Sequence, residues 1–167
     1  MRNIFLVGFM GAGKTTVGRV LAGRLGYRYC DSDKVIETKA GKTIPEIFSG
    51  LGEDRFRELE SETLESLSGK IKQVIATGGG AVMRNRNWDA MKKGGVTVYL
   101  KAPAEVIWNR IKHSRTRPLL NVDNPLEAAR DLLEKRIPFY EKADITVDTE
   151  SLSVEEIASE IVRKLGI

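Results

Sequence analysis

The segment Gly8-Phe9-Met10-Gly11-Ala12-Gly13-Lys14-Thr15 sets glycines, a lysine and a hydroxyl at the spacing G-x-x-x-x-G-K-[ST]. Glycines at those positions let the backbone wrap, so that successive N–H groups point at phosphate oxygens. A helix opening at the same point adds its partial positive charge. Lys14 supplies a point charge for β- and γ-phosphates, and the Thr15 hydroxyl stands where it can ligand Mg²⁺. The chemistry is that of a nucleoside triphosphate site. A glycine-rich turn with an exposed lysine is the plain alternative. It loses on context: an apolar strand pattern precedes the segment and an amphipathic helix pattern follows it.

Four further groups could complete such a site. Asp31 and Asp33 follow a strand pattern, and in extended chain residues two apart point the same way. One carboxylate could hold magnesium through water and the other bind or deprotonate an acceptor hydroxyl. The same pair could cap the next helix, with Asp33 the better cap candidate. Arg57 could bind an anionic substrate, or simply pair with Glu60 three residues on along a helix. Gly78, Gly79 and Gly80 end a strand with no side chains, which admits a ligand to the backbone. The alternative there is a flexible turn. Arg110, Lys112, Arg115 and Arg117 lie within eight residues with no acid among them. A solvated basic loop is the usual fate of such a run. Beside a phosphate loop it becomes a candidate lid, whose arginine could stabilise charge on a transferring phosphoryl group.

The elements that must position these groups alternate. Strand patterns fall at 3–7, 27–30, 72–77, 96–100 and 145–148. Helical patterns follow the phosphate loop and lie at 34–39, 44–48, 53–67 and 86–92, the last stopped by Gly94-Gly95. Further helices run from Pro103 to about Lys112 and from Pro125 to about Lys142. Ser153 with Glu156 forms a capping box before a final helix. Strand–helix alternation implies parallel strands covered on both faces, a three-layer α/β/α domain with a five-stranded parallel sheet. Residues 34–60 and 113–124 interrupt the alternation, and insertions at strand ends are where such sheets bind ligands.

Composition narrows the class. A chain of 167 residues fits a single domain, with about 100–200 residues being usual. The net charge of +4 suits anionic ligands. The basic residues cluster in one loop without interleaved aromatics, so no nucleic-acid partner is expected. A single cysteine, Cys30, excludes an internal disulfide and fits a reducing, cytoplasmic setting. No apolar run approaches the ~18 residues of a membrane span, and the apolar start MRNIFLVGFMG runs straight into glycines, so it reads as a strand rather than a leader. No N-K-x-D base-reading motif occurs, and the third strand ends in Thr77-Gly78 rather than in an aspartate. What remains is a small kinase needing an acceptor pocket and a lid.

Taken together these segments resemble the shikimate kinase family, phosphate-loop kinases related to the nucleoside monophosphate kinases. The likeness runs from Gly8 to about residue 150. It is carried by GFMGAGKTTVG at 8–18, D-x-D at 31–33, I-x-x-I-F at 44–48 and G-E-x-x-F-R-x-x-E at 52–60. TGGG at 77–80, RPLL at 117–120 and R-x-P-x-Y-x-x-A-D at 136–144 continue it. The resemblance implies transfer of a phosphoryl group from MgATP to shikimate, giving ADP and shikimate 3-phosphate, by a monomer. It implies that Gly11, Ala12, Gly13, Lys14, Thr15 and Thr16 cradle the phosphates. Thr15 would ligand Mg²⁺, with Asp31 behind its waters. Asp33 would bind the acceptor hydroxyl as general base, and Arg57 and Arg136 would hold the carboxylate. Gly78, Gly79 and Gly80 would line the acceptor, with the Gly79 backbone meeting a ring hydroxyl. Glu60 would orient arginine, Arg117 would close onto the phosphates as a catalytic group beside Lys14, and Arg110 would lie against adenine. The substrate-binding part would be 33–61 and the lid 112–124, mobile without ligand. The family often carries a basic residue or a proline at 150–154, and this chain has neither, so contacts to the base there would come from the backbone.

Other residues read as structural. Cys30 is expected as a core thiol, Trp88 and Trp108 as core packing, and His113, the sole histidine, as part of the exposed lid. A zinc site is not expected from one histidine and one cysteine.

Overall fold

The computed structural model describes residues 2–112 and 123–167. Five strands, β1 (Asn3–Val7), β2 (Arg28–Asp31), β3 (Gln73–Ala76), β4 (Gly95–Lys101) and β5 (Ile145–Asp148), form one sheet in the order β2-β3-β1-β4-β5. Every pairing is parallel. The helices are α1 (Lys14–Leu25), α2 (Ser32–Ala40), α3 (Ile44–Ser68), α4 (Asn85–Gly94), α5 (Ala104–Ile111), α6 (Pro125–Tyr140) and α7 (Val154–Leu165). A 3₁₀ turn occupies Ala81–Met83. Among the described residues no helix is long and apolar enough to cross a membrane.

Strand alternation separates two cores. On β1, Ile4 and Leu6 face α1 and α7, joining Val17, Leu21, Ile157 and Ile161. Phe5 and Val7 face the other way, joining Leu64 of α3, Met91 of α4, Ile107 of α5 and Tyr140 of α6. Burial of β1 on both faces accounts for its apolar run from Ile4 to Val7. A third cluster, Ile36, Ile47 and Phe56, joins α2 to α3.

The expected elements all occur, with three corrections. β2 is shifted by one residue, so Asp31 is its last residue and also the N-cap of α2. Asp31 and Asp33 therefore do not share an extended segment, because Asp33 already lies in the first turn of α2. The cap is Asp31 and not Asp33: Asp31 Oδ1 accepts the backbone N–H groups of Asp33 and Lys34. Gly94 and Gly95 leave no gap between helix and strand, since α4 ends at the first and β4 starts at the second. A methyl group on Gly95 would sit 2.1 Å from the Asn3 carbonyl oxygen, so the close pairing with β1 requires glycine there. The expected division of 44–67 into two helices survives as a break at Gly52, whose φ of 82° is not helical.

Sequential connections leave β1 toward β2 on one side and cross from β3 to β4 on the other. The crevice beyond the carboxyl ends of β1 and β3 is where the topology switches, and there the phosphate loop and the glycine run meet.

Candidate active site

The phosphate loop joins β1 to α1. Gly11 and Gly13 adopt positive φ of 77° and 95°, conformations that turn the chain around a central space. Lys14 Nζ donates to the carbonyl oxygens of Gly8 and Phe9 at 2.6 and 2.8 Å, which fixes the ammonium at the mouth of the loop. Ala12 is buried, and Thr15 and Thr16 are exposed at the start of α1. Arg110, in the last turn of α5, donates from Nη1 to the Gly11 carbonyl at 3.3 Å, so this side chain lies over the loop. Arg117 and residues 113–122 of the expected lid lie outside the described residues, as does His113.

The run Gly78-Gly79-Gly80 is approached by a different charged group at each position. A methyl group on Gly78 would be 2.9 Å from both Asp33 Oδ1 and Glu60 Oε1. One on Gly79 would be 3.5 Å from Arg136 Nη1 and 3.5 Å from the Met10 backbone nitrogen of the phosphate loop. One on Gly80 would be 2.7 and 2.8 Å from the two terminal nitrogens of Arg57. Bare backbone here lets two carboxylates and two guanidinium groups converge on one short segment beside the phosphate loop. The glycine run is thus close-packed, which corrects the alternative of a flexible turn.

Each charged group is held in place. Glu60, with a side chain only 1% exposed, accepts from Arg57 Nη1 at 3.0 Å, and Glu53 accepts from Nη2 at 3.3 Å. The i,i+3 pairing expected of Arg57 and Glu60 is present, and it stands at the edge of the site. Arg136 is buried on α6 with its guanidinium 5.7 Å from the centre of the Phe9 ring. One turn further, Tyr140 Oη donates to the Gly79 carbonyl at 2.7 Å. On the other side the Gly78 N–H donates to Ser32 Oγ at 3.2 Å. Ser32 and Tyr140 were not among the sequence candidates. Their signals were position: Ser32 stands between the two aspartates, and Tyr140 follows Arg136 by four residues, hence on the same helix face.

Burial sets the acid–base state. It raises the Asp33 carboxyl above the ordinary aspartate value, and the Asp31 charge adds to this, against opposition from Lys14. Burial also raises Glu60, with Arg57 opposing. Asp33 Oδ1 and Glu60 Oε1 are both sealed from solvent without a hydrogen-bond partner among the described residues. Asp33 thus presents a carboxylate more basic than usual, aimed at the segment where Arg57 and Arg136 also arrive.

The donor set suits magnesium. Thr15 offers an exposed hydroxyl, and Asp31 uses one oxygen in its cap while its second takes no part. Among the described residues no group of three or more His, Cys, Asp or Glu could enclose a metal. Magnesium commonly keeps several waters and takes one or two protein oxygens together with substrate phosphates.

Elsewhere, Cys30 is a buried thiol that donates to Gln73 Oε1. Trp88 is buried, with its indole N–H donating to the Val82 carbonyl, and Trp108 packs partly buried on the same core. In the 148–154 loop, Thr149 Oγ1 donates to the Lys101 carbonyl and the Glu150 N–H donates to Asp148.

A phosphate loop at the switch point of a β2-β3-β1-β4-β5 parallel sheet, facing a pocket of fixed carboxylates and arginines, defines a phosphate-loop kinase for a small anionic acceptor. The shikimate kinase family model matches residues 10–166. The shikimate kinase of Thermodesulfovibrio yellowstonii is 50% identical over 164 residues, covering 98% of this chain and 95% of that protein. That of Geobacter sulfurreducens is 49% identical over 160 residues, covering 96% and 88%. Among solved structures, shikimate kinase from Acinetobacter baumannii in complex with shikimate superposes with a TM-score of 0.94 at 44% identity, covering 99% of this chain and 93% of that one. The chain belongs to the shikimate kinase family, whose members are ATP-dependent kinases.

Proposed function

We propose that this chain transfers the γ-phosphoryl group of ATP to the 3-hydroxyl of shikimate, giving shikimate 3-phosphate and ADP, a step of aromatic amino acid biosynthesis. The observation that carries the reading is the convergence of Asp33, Arg136 and Arg57 on Gly78, Gly79 and Gly80, next to the phosphate loop. A small polyol acid needs cations for its carboxylate and an anion for its hydroxyl, and the segment offers both.

The roles follow from chemistry. Arg57 and Arg136 pair with the acceptor carboxylate, the guanidinium fork making charge-assisted contacts. Glu60 holds Arg57 in orientation. The bare glycines let the ring approach backbone, with Gly79 meeting a hydroxyl. Asp33 binds the 3-hydroxyl and takes its proton as the oxygen bonds to phosphorus, and the bond from that phosphorus to the β–γ bridging oxygen breaks, releasing ADP. Residues Gly11 to Thr16 cradle the phosphates. Lys14 and Arg117 stabilise charge on the transferring group, which is where most of the acceleration in phosphoryl transfer arises. Arg110 flanks the adenine, and backbone at 150–154 forms its far side. Thr15 directly and Asp31 through water hold magnesium, which neutralises charge on the β- and γ-phosphates when bound. In this reading 33–61 is the acceptor-binding part of a single domain, and 112–124 is the lid that excludes water. The enzyme acts as a cytoplasmic monomer.

The test is ADP release from MgATP with shikimate, alongside gluconate, quinate and nucleoside monophosphates. Saturable release with shikimate alone is expected. Release with another acceptor would keep the kinase and reassign Arg57 and Arg136. Absence of acceptor-dependent release would overturn the reading.

A further inference from the structure

Tyr29 stands on β2 two residues before Asp31, and strand alternation directs both side chains to the face covered by α1. Its ring lies on Gly18 of α1. A methyl group at Gly18 would come within 2.8 Å of Tyr29 Cε2 and 3.2 Å of Cδ2, so the ring occupies the space a side chain would have filled. Thr15 is three residues before Gly18, on the same face of α1. The ring is braced from outside by Arg19, whose guanidinium carbon is 5.6 Å from its centre. The phenolic oxygen is sealed from solvent and closes no well-formed hydrogen bond among the described residues. After burial, the side chains acting on it are Thr15, Asp31 and Arg19. A sealed hydroxyl without a partner is costly, and its persistence calls for a reason.

We propose that Tyr29 is a positioning residue for the magnesium–nucleotide, its hydroxyl linking the Thr15 hydroxyl to the Asp31 carboxylate. This inference rests on the assignment of Thr15 and Asp31 to the metal and its water shell. A hydroxyl that ligands a cation through its lone pair must give its hydrogen to an acceptor. Tyr29 Oη can accept from Thr15 Oγ1 and at the same time donate to Asp31. A phenol keeps its proton at neutral pH and is therefore able to donate. The linkage aims one oxygen at the metal and restrains the carboxylate behind it, and it needs both the glycine at 18 and the hydroxyl at 29.

The test is Tyr29→Phe, which keeps the ring on Gly18 and removes only the hydroxyl. Calorimetry would give ADP dissociation constants with excess Mg²⁺ and with chelator, beside a thermal melt. We expect a threefold to tenfold loss of MgADP affinity, roughly the worth of one hydrogen bond, with metal-free ADP affinity and melting temperature unchanged. The Mg²⁺ concentration for half-maximal turnover should rise by a similar factor. Equal MgADP affinity in the variant and the parent would overturn the proposal. So would an equal loss with and without metal, or a lowered melting temperature accounting for the change, since either marks a purely structural role. A parent whose ADP affinity ignores Mg²⁺ would overturn the magnesium assignment itself, and this inference with it.

Discussion

The phosphate loop and the acceptor pocket face each other across the same crevice, yet they are built in opposite ways. The loop is a contiguous segment, 8–16, whose proposed binding groups are mostly backbone N–H donors, shaped by positive-φ glycines and a helix start. The pocket draws Asp33 from α2, Arg57 and Glu60 from α3, Arg136 from α6 and the glycine run from the end of β3. Its proposed binding groups are side chains from distant parts of the sequence. A backbone site is general for any triphosphate, while a side-chain site can be shaped to one acceptor.

That contrast predicts that side-chain substitutions in the pocket separate acceptor chemistry from nucleotide binding. The largest effect should come from Asp33→Asn, which removes the proposed base and leaves the loop untouched. Turnover should fall by about 10²- to 10⁴-fold, the usual range for a positioned acid–base group, while the ADP dissociation constant stays at the parent value. A variant that lost ADP affinity in proportion would show that the two regions are not independent.

Arg57→Ala should rank next. The acceptor carboxylate loses a charge-assisted partner worth ~1.5–3 kcal/mol, a weakening of roughly 10- to 150-fold in acceptor affinity. The variant should also melt earlier, because Glu60 would keep its burial and lose its closest cation. Titration with shikimate and a thermal melt check the two parts separately. Acceptor affinity equal to the parent would remove Arg57 from the pocket.

The smallest effect concerns pH. Asp33 and Glu60 are both raised by burial, Asp33 further by Asp31, with Lys14 and Arg57 opposing. With Asp33 as the proposed base, its charged form is the active one, so kcat/KM for the acceptor should fall on acidification, with an inflection above the ~4 of an ordinary aspartate. Stability runs the other way. A carboxyl whose folded pKa is raised contributes stability that is full below its unfolded pKa and is lost as pH rises through the folded value. The charged state that the proposed base requires is therefore the less stable one. Glu60→Gln removes a carboxyl that meets the same glycine as Asp33 and should move the acid limb down. An unmoved limb would show that Glu60 acts only on Arg57.

The same contrast decides what could be read without a structure. A contiguous site leaves a contiguous signature, so G-x-x-x-x-G-K-[ST] between a strand and a helix was legible from residue order. The sheet was legible too, because a strand buried on both faces is largely apolar, as Ile4 to Val7 of β1 are. The aspartate pair was legible as a motif, but its geometry was not. The one-residue shift of β2 made Asp31 the cap, and only the backbone hydrogen bonds to Asp33 and Lys34 reveal that. Ser32 escaped because a serine between aspartates has many ordinary uses, and Tyr140 stood in the R-x-P-x-Y segment with no role assigned to it. Their role depends on the glycine run lying between them.

By itself, then, the sequence determined the alternation of strands and helices, the phosphate loop and the family to which the chain belongs. These depend on local periodicity and on motifs whose spacing is their geometry. Only the tertiary structure decided which charge meets which glycine, how deeply Asp33 and Glu60 are buried, and that the Tyr29 ring packs on Gly18 with its hydroxyl sealed. Those properties arise where elements distant in the chain meet, α2, α3 and α6 around the end of β3 and β2 against α1. Burial and charge proximity belong to that packing, and no single segment of the chain carries them.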